Sequence, residues 1–299
     1  MFKSIIDDIK YSYRTGNMIT RLIIINVSVF LVMTLIKALF PSFYPTLESF
    51  LAIPGSPIEL LTKPWTIVTH MFIHSGFFHM GWNMLFLYWF GRITGDLLGD
   101  HRILPLYIVG GLAGALAYFL SYQIFPDVIG SRALGASAAV MAIIATAGAT
   151  APDYVMRLIL IGDVRLKYIV FFIIFMDIIG TAGQTNTGGH IAHLAGASFG
   201  LFFVYQLRQG MDLVEPMGNF IQKLSLWFTG TNKVNKSKKA SPLSVKFKKK
   251  KAGNQKKGSS TPDVSFQEKL DAILDKIKED GYDSLTSEEK EFLFQASKK

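Results

Sequence analysis

No cysteine occurs anywhere in the 299 residues. A disulfide scaffold, a thiolate nucleophile and a Cys-ligated zinc or iron–sulfur centre are therefore excluded, although this absence says nothing of the redox compartment. Charge is scarce as well: 18% of the residues are Asp, Glu, Lys or Arg, against about 25% in a soluble domain. Acid is scarcer still. No glutamate lies between Glu59 and Glu215, and no acid of either kind between Lys223 and Lys257, a stretch that holds twelve lysines. What is abundant is apolar surface. Half of the chain is apolar, and residues 19–208 carry several apolar stretches of about 16–22 residues. The average composition hides two parts that suit different solvents, one lipid-like and one aqueous and basic.

A hydrocarbon core of about 30 Å takes roughly 20 helical residues. Six segments qualify or nearly do: Ile19–Phe40, Ile67–Phe90, Ile103–Phe125, Ser137–Ala151, Tyr168–Thr181 and Gly189–Leu207. The first is too long, and too far from a small-residue cleavage site, for a signal peptide. Basic residues set the orientation. Lys3, Lys10, Arg14 and Arg21, then Arg92 and Arg102, then Arg157, Arg165 and Lys167 fall on one side, against Lys37, Lys63 and Arg132 on the other. Both termini are expected in the cytoplasm. Residues 41–65, apolar but broken by Pro45, Pro54, Pro57 and Pro64, read as short amphipathic pieces in the outer interface. The fourth segment is short, about 22 Å at 1.5 Å per residue. It is expected to begin below the membrane surface in a cavity walled by longer helices, after an irregular Gly130–Gly135 entry. Its many Ala and Gly suit a central helix crowded on all sides.

Five of the six histidines, His70, His74, His79, His190 and His193, lie in or near the outer ends of these segments, where polar groups are costly and point to function. His79 and Asn83, four apart, share one helical face. Ser137 enters a helix after a glycine-permitted turn, where unpaired N–H groups present partial positive charge. An oxyanion formed by Ser137 attack would be held there, with His79 and Asn83 as further donors. His193 is a base candidate. The Gly196 and Gly200 spacing after it lets its helix approach another closely, bringing it within reach of Ser137. The alternative is that these polar residues are only interhelical hydrogen-bond partners. Asp177 is the only acid well inside a span, towards the outer end of the fifth. No third member that would orient the imidazole is evident, so a two-residue Ser–His arrangement is the economical reading. Zinc is disfavoured, because there is no His-Glu-x-x-His and no nearby glutamate; no metal and no cofactor are expected.

These residues resemble the rhomboid intramembrane serine proteases over roughly 19–208. The run THMFIHSGFFHMGWNMLF, Thr69 to Phe86, is similar to that family's loop and second helix, with His74, His79 and Asn83 in its signature. LGASAAVMAI, Leu134 to Ile143, is similar to the Gly-x-Ser-Gly serine motif, and AHLAGASFG, Ala192 to Gly200, to the sixth-helix motif. The resemblance implies an all-α polytopic membrane protein, a six-transmembrane-helix bundle with a short central fourth helix. It implies Ser137 as nucleophile, His193 as general base, and His79, Asn83 and the Ser137 N–H as oxyanion donors. His74, His190, Gly135, Gly196 and Gly200 take structural or water-access roles. Two departures stand out: Ala138 follows the serine where the family has glycine, and Thr66 follows Trp65 where many members have arginine. With Ser137, His193, His79 and Asn83 all present, the reading is an active endopeptidase. It would cut transmembrane segments of other membrane proteins near their outer ends, with the polar Thr181–Gly189 loop over the cavity. The rivals are a catalytically inactive rhomboid-like protein that binds membrane clients and a histidine-lined transporter or metal protein.

The expected organisation is a cytoplasmic segment 1–18, a membrane domain 19–208, an amphipathic interfacial segment 209–232, a lysine-rich linker 233–262 and a C-terminal helical module 263–299. The linker reads as a partner of anionic lipid headgroups rather than nucleic acid. In the last part, Leu270, Ile273, Leu274 and Ile277 form a helical stripe. Gly281 suits a helix stop, and Thr286 to Glu289 reads as a capping box. This cytoplasmic hairpin resembles modules on some bacterial rhomboid-like proteins and is small enough to need a partner, its own membrane domain or a second copy. The location expected is the bacterial inner membrane, multi-pass.

Overall fold

The computed structural model describes residues 2–158, 161–183, 186–229, 269–273, 275–277 and 284–296. Two compact units, Met1–Lys233 and Val234–Lys299, divide the chain. The lysine-rich run, Gly281, Leu274 and part of the Thr181–Gly189 loop lie outside the described residues.

The first unit is mostly helical. An amphipathic helix α1 (Phe2–Thr15) precedes α2 (Met18–Leu39). Asn17 caps α2 through the Thr20 N–H at 3.0 Å, and Asp100 accepts the Met18 N–H at 2.9 Å, so two orphan donors of the first turn are satisfied. The proline-punctuated stretch folds as α3 (Tyr44–Leu51), α4 (Pro57–Thr62) and α5 (Thr66–Thr69). It is tied back by Trp65 Nε1 donating to the Phe50 carbonyl at 2.8 Å and Thr69 Oγ1 donating to the Leu51 carbonyl at 2.7 Å.

The long helices follow: α6 (Phe77–Leu98), α7 (Ile103–Ile124), α8 (Ser137–Thr150), α9 (Leu166–Ala182) and α10 (Thr187–Arg208). The second is displaced from the expected Ile67–Phe90. Apolar residues 67–73 instead complete α5 and form a 3-10 turn over His70–Phe72, and Gly76 precedes the helix, which runs on until Gly99 at φ +94° stops it. The all-α expectation also misses two small antiparallel pairs. β1 (Ile53–Pro54) meets β2 (Arg132–Ala133), and β3 (Val155–Leu158) meets β4 (Gly162–Arg165) between α8 and α9.

Helix α8 is the axis. Every residue from Ala138 to Gly148 is buried, because α7 and α10 press on it through glycines. A Cβ on Gly110 or Gly114 of α7 would collide with the methyl groups of Ala142 or Ala138. One on Gly196 or Gly200 of α10 would collide with the carbonyl oxygens of the same two alanines. Two Gly-xxx-Gly pairs thus grip one Ala-xxx-Ala pair from two sides, the close backbone approach that small residues permit. By length and composition, two helices among the described residues, Met18–Leu39 and Asp100–Ile124, are long and apolar enough to cross a membrane; Ser137–Thr150 is apolar but shorter. After α10 comes α11 (Glu215–Thr229), with Phe220, Leu224 and Trp227 exposed.

In the second unit residues 269–273 and 275–277 are helical, as is α12 (Ser287–Ala296). The capping box forms reciprocally: the Glu289 N–H donates to Thr286 Oγ1 at 3.3 Å, and the Thr286 N–H to Glu289 Oε2 at 2.8 Å. Lys276 Nζ reaches the same carboxylate at 2.9 Å.

Candidate active site

The start of α8 is set by the turn that leads into it. Gly135 has φ +125°, a region that side chains rarely adopt. Its N–H donates to the His70 carbonyl at 2.8 Å, and the Ala136 N–H faces His74 Nε2 at 3.5 Å. His70 is itself pinned, Nδ1 lying 2.8 Å from the Thr66 carbonyl oxygen. Both buried histidines therefore hang the Gly135 turn on the preceding loop. Ser137 is delivered as the first helical residue of α8, with N–H groups behind it that have no intrahelical acceptor.

His79 flanks the same turn. A Cβ built on Gly135 would lie 2.7 Å from His79 Cε1, 2.9 Å from its Nε2 and 3.6 Å from Ser137 Oγ. Only a glycine lets imidazole and hydroxyl share this space. His79 Nδ1 is 3.1 Å from Ser75 Oγ, one turn earlier. Asn83 is buried on the same face, but its Nδ2 donates to the His79 carbonyl at 2.7 Å. One of its two amide hydrogens is thus committed to its own helix and the second is left for the cavity.

From the opposite side α10 presents His193, whose Nε2 lies 2.6 Å from Ser137 Oγ. The approach follows from Gly196, one turn on, which lets α10 rest on the Ala138 carbonyl. The expected pair is brought together, and one participant is added that sequence reasoning passed over. Asp177 of α9, 7% exposed, places Oδ1 2.8 Å from His193 Nδ1 and 2.7 Å from His190 Nδ1. A carboxylate thus stands behind the imidazole, at a place where the sequence offered no evident third member. The signal was present as the only acid well inside a span, at the same outer end as the histidines. No pattern within one helix links it to partners 13 and 16 residues away. His190, expected at the water entrance, lines the cavity and also shares this carboxylate.

Asp177, His190 and His193 offer ligand atoms within 4.8 Å of one another, enough for a divalent cation to find three donors. Their 2.7 and 2.8 Å separations are hydrogen-bond lengths. They are shorter than the ~3.3 Å between neighbouring donors of a tetrahedral zinc with bonds near 2.0 Å. Hydrogen bonding accounts for the cluster as it stands.

Ser137, His79, Asn83, Asp177, His190 and His193 line one cavity of about 880 Å³ between α6, α8, α9 and α10. Its walls are apolar, with Trp82 and Phe86 on α6, Val140 and Ile144 on α8, and Phe172 and Met176 on α9. The polar groups cluster at Ser137. Such a cavity suits an extended apolar chain segment whose backbone must be presented to a nucleophile.

The family model described as Rhomboid domain matches residues 61–210, a span that includes every site residue named above. A second, described as a family of unknown function (DUF6576), matches residues 264–299. The chain is similar to Presenilin-associated rhomboid-like protein A, mitochondrial, of Danio rerio, with 29% identity over 54% of this chain and 43% of that protein. It is similar to Rhomboid-related protein 1 of Caenorhabditis elegans, with 30% identity over 49% of this chain and 41% of that protein. Rhomboid protein 1, mitochondrial, of Saccharomyces cerevisiae is 23% identical over 71% of this chain and 59% of that protein. The chain thus spans under half the length of the first two relatives.

Proposed function

The chain belongs to the rhomboid family, and from that premise we propose that it is an intramembrane serine endopeptidase acting on transmembrane segments of other membrane proteins. The observation that carries the reading is the 2.6 Å separation of Ser137 Oγ and His193 Nε2. This is a hydroxyl and a base at proton-transfer distance on two helices, beside unpaired helix N–H groups. The Ser137 oxygen attacks the scissile carbonyl carbon while its proton passes to His193 Nε2, and the carbonyl π pair moves onto oxygen. The oxyanion is held by the Ser137 N–H, by His79 Nε2–H when Ser75 donates to Nδ1, and by the second amide hydrogen of Asn83. Collapse breaks the C–N bond, with the His193 proton going to the leaving nitrogen. Water then repeats the sequence on the acyl-serine.

The membrane domain, 19–208, is read as six spans: α2, α6, α7, α8, α9 and α10. At 22 residues each, α6 and α10 are ~33 Å long and match a ~30 Å core. Their hydropathy is lowered by the site itself, by His79 and Asn83 on one and by His190, His193 and glycines on the other. At 14 residues, α8 is ~21 Å and begins below the surface, in the water-accessible cavity. A substrate helix enters beside the apolar walls of α6 and α9 and unwinds locally to expose a carbonyl. The family places the chain in a membrane as an integral protein, and both termini are read as cytoplasmic from the basic residues flanking the spans. The mitochondrial names of two of the relatives give no support to a bacterial inner membrane. The segment 209–232 lies in the interface, the linker 233–262 meets anionic headgroups, and the module 263–299 docks on a partner or a second copy.

The test is labelling of the detergent-solubilised chain with a serine-directed fluorophosphonate. Wild type labels; Ser137→Ala and His193→Ala do not; labelling persists in His190→Ala. A folded wild type that stays unlabelled overturns the reading in favour of an inactive client-binding protein.

A further inference from the structure

Asp177 is the only buried acid among the described residues, and a carboxylate held in a bundle interior is costly unless its environment compensates it. A tie between α9 and α10 needs only one hydrogen bond from any polar pair. Here one oxygen, Oδ1, faces two imidazoles through the same ring atom, at 2.7 Å to His190 Nδ1 and 2.8 Å to His193 Nδ1. The second of these rings carries Ser137 Oγ on its far nitrogen at 2.6 Å. We infer that Asp177 is a positioning residue for catalysis, fixing His193 as the Nδ1–H tautomer with Nε2 free to accept the serine proton, and that His190 holds the carboxylate in place.

The inference rests on the proposed protease reading and deepens it. An ionised carboxylate accepts from Nδ1–H, so the proton of His193 is confined to the side away from Ser137. When Ser137 Oγ bonds to carbon and its proton reaches Nε2, the imidazolium faces a carboxylate at hydrogen-bond distance, a charge-assisted contact stronger than a neutral one. Asp177 keeps its charge throughout and takes no proton. His190 contributes the second N–H to the same oxygen, which offsets part of the cost of burying that charge.

The test uses the full-length detergent-solubilised chain and two readouts: the second-order rate of fluorophosphonate labelling, and kcat and KM for a transmembrane-segment peptide. Asp177→Asn keeps the shape and the α9–α10 packing but offers an amide that can donate to Nδ1. The proton of His193 is then displaced to Nε2. The labelling rate and kcat are expected to fall together by ~10²–10⁴-fold with KM within about threefold, as loss of a tautomer-fixing carboxylate does elsewhere. Labelling within about threefold of wild type, or a loss confined to KM, overturns the inference. Should Asp177→Asn not fold, Asp177→Ala carries the test: added formate restores labelling if a carboxylate is what the site lacks, and a folded Ala variant without restoration overturns it. The two failures are distinguishable. Unlabelled wild type sinks the protease reading itself, whereas labelled wild type, unlabelled Ser137→Ala and unaffected Asp177→Asn sink only the role of Asp177.

Discussion

Replacing Gly196 with alanine tests how the pair is brought together. The new methyl would meet the carbonyl oxygen of Ala138, with the Ala138 Cα at 3.2 Å behind it. The obstacle is helix backbone, so no rotamer change relieves it. The helices must part by about 1 Å to restore ordinary van der Waals separation. His193 lies three residues before Gly196, ~4.5 Å along the same helix, and moves with it. A Ser137–His193 distance of 2.6 Å becomes about 3.6 Å, too long for a hydrogen bond. A misplacement of this size costs ~10²-fold in rate, or about 2.7 kcal/mol of transition-state stabilisation, while overpacking destabilises by about 1–3 kcal/mol. Gly200→Ala meets the Ala142 carbonyl in the same manner but sits ~10 Å from His193. It is expected to lower the thermal midpoint comparably and the labelling rate much less. Fluorophosphonate labelling rates and thermal unfolding of both variants in detergent decide the matter. If Gly196→Ala labels within about threefold of wild type, or if both variants lose rate equally, the glycine contact does not position the base.

Gly135→Ala places a methyl group against the His79 ring at a backbone φ of +125°. A loss of about 1–3 kcal/mol in stability and near-complete loss of labelling are expected, and a stable, labelled variant would count against this turn as the oxyanion site. In the C-terminal unit, Lys276 and the Thr286 N–H hold the Glu289 carboxyl from its ordinary 4.5 down to about 2. A depressed folded-state value means that the cap's contribution is complete above the unfolded value and lost as pH falls from 4.5 towards about 2. Hydrogen-exchange protection of residues 287–296 in the full chain should therefore fall over that window and not above it; protection that stays constant down to pH ~3 would contradict the assignment.

Much of this arrangement is legible in the order of residues, and the part that is not has a physical reason. The expected segments Ile103–Phe125 and Gly189–Leu207 differ from helices Ile103–Ile124 and Thr187–Arg208 by only a residue or two at each end, because caps and apolar runs are local. The Thr286–Glu289 box is equally local, and it forms. The start of α6 is not legible. Residues 67–73 are as apolar as a span, yet they complete a short helix and a 3-10 turn, tied to the preceding stretch by Trp65 and Thr69 donating to the carbonyls of Phe50 and Leu51, contacts invisible to hydropathy. The same holds for β1 and β2, two residues each, whose partners lie 78 and 80 positions apart in the chain. Asp177 belongs to this class as well. Each helix was readable alone, but the sharing of one carboxylate oxygen between two histidines is a property of how α9 leans on α10.

The same packing accommodates the departure at Ala138. Where the family has glycine after the nucleophile, an added methyl invites the concern that it fills the oxyanion site. In the structure that methyl points at Gly114 of α7, where any side chain would collide with it, while the Ala138 carbonyl receives Gly196 of α10. Both the side chain and the carbonyl of Ala138 are thus accommodated by glycines on neighbouring helices, one on each flank. His79 and the Gly135 turn stand elsewhere, around Ser137 Oγ. Alanine at this position therefore extends the interlock of α8 with α7. The compensation is specific: Gly114 must remain without a side chain for Ala138 to fit, so the two positions act as one unit, and the serine motif of this chain is to be read together with the glycine pair of α7.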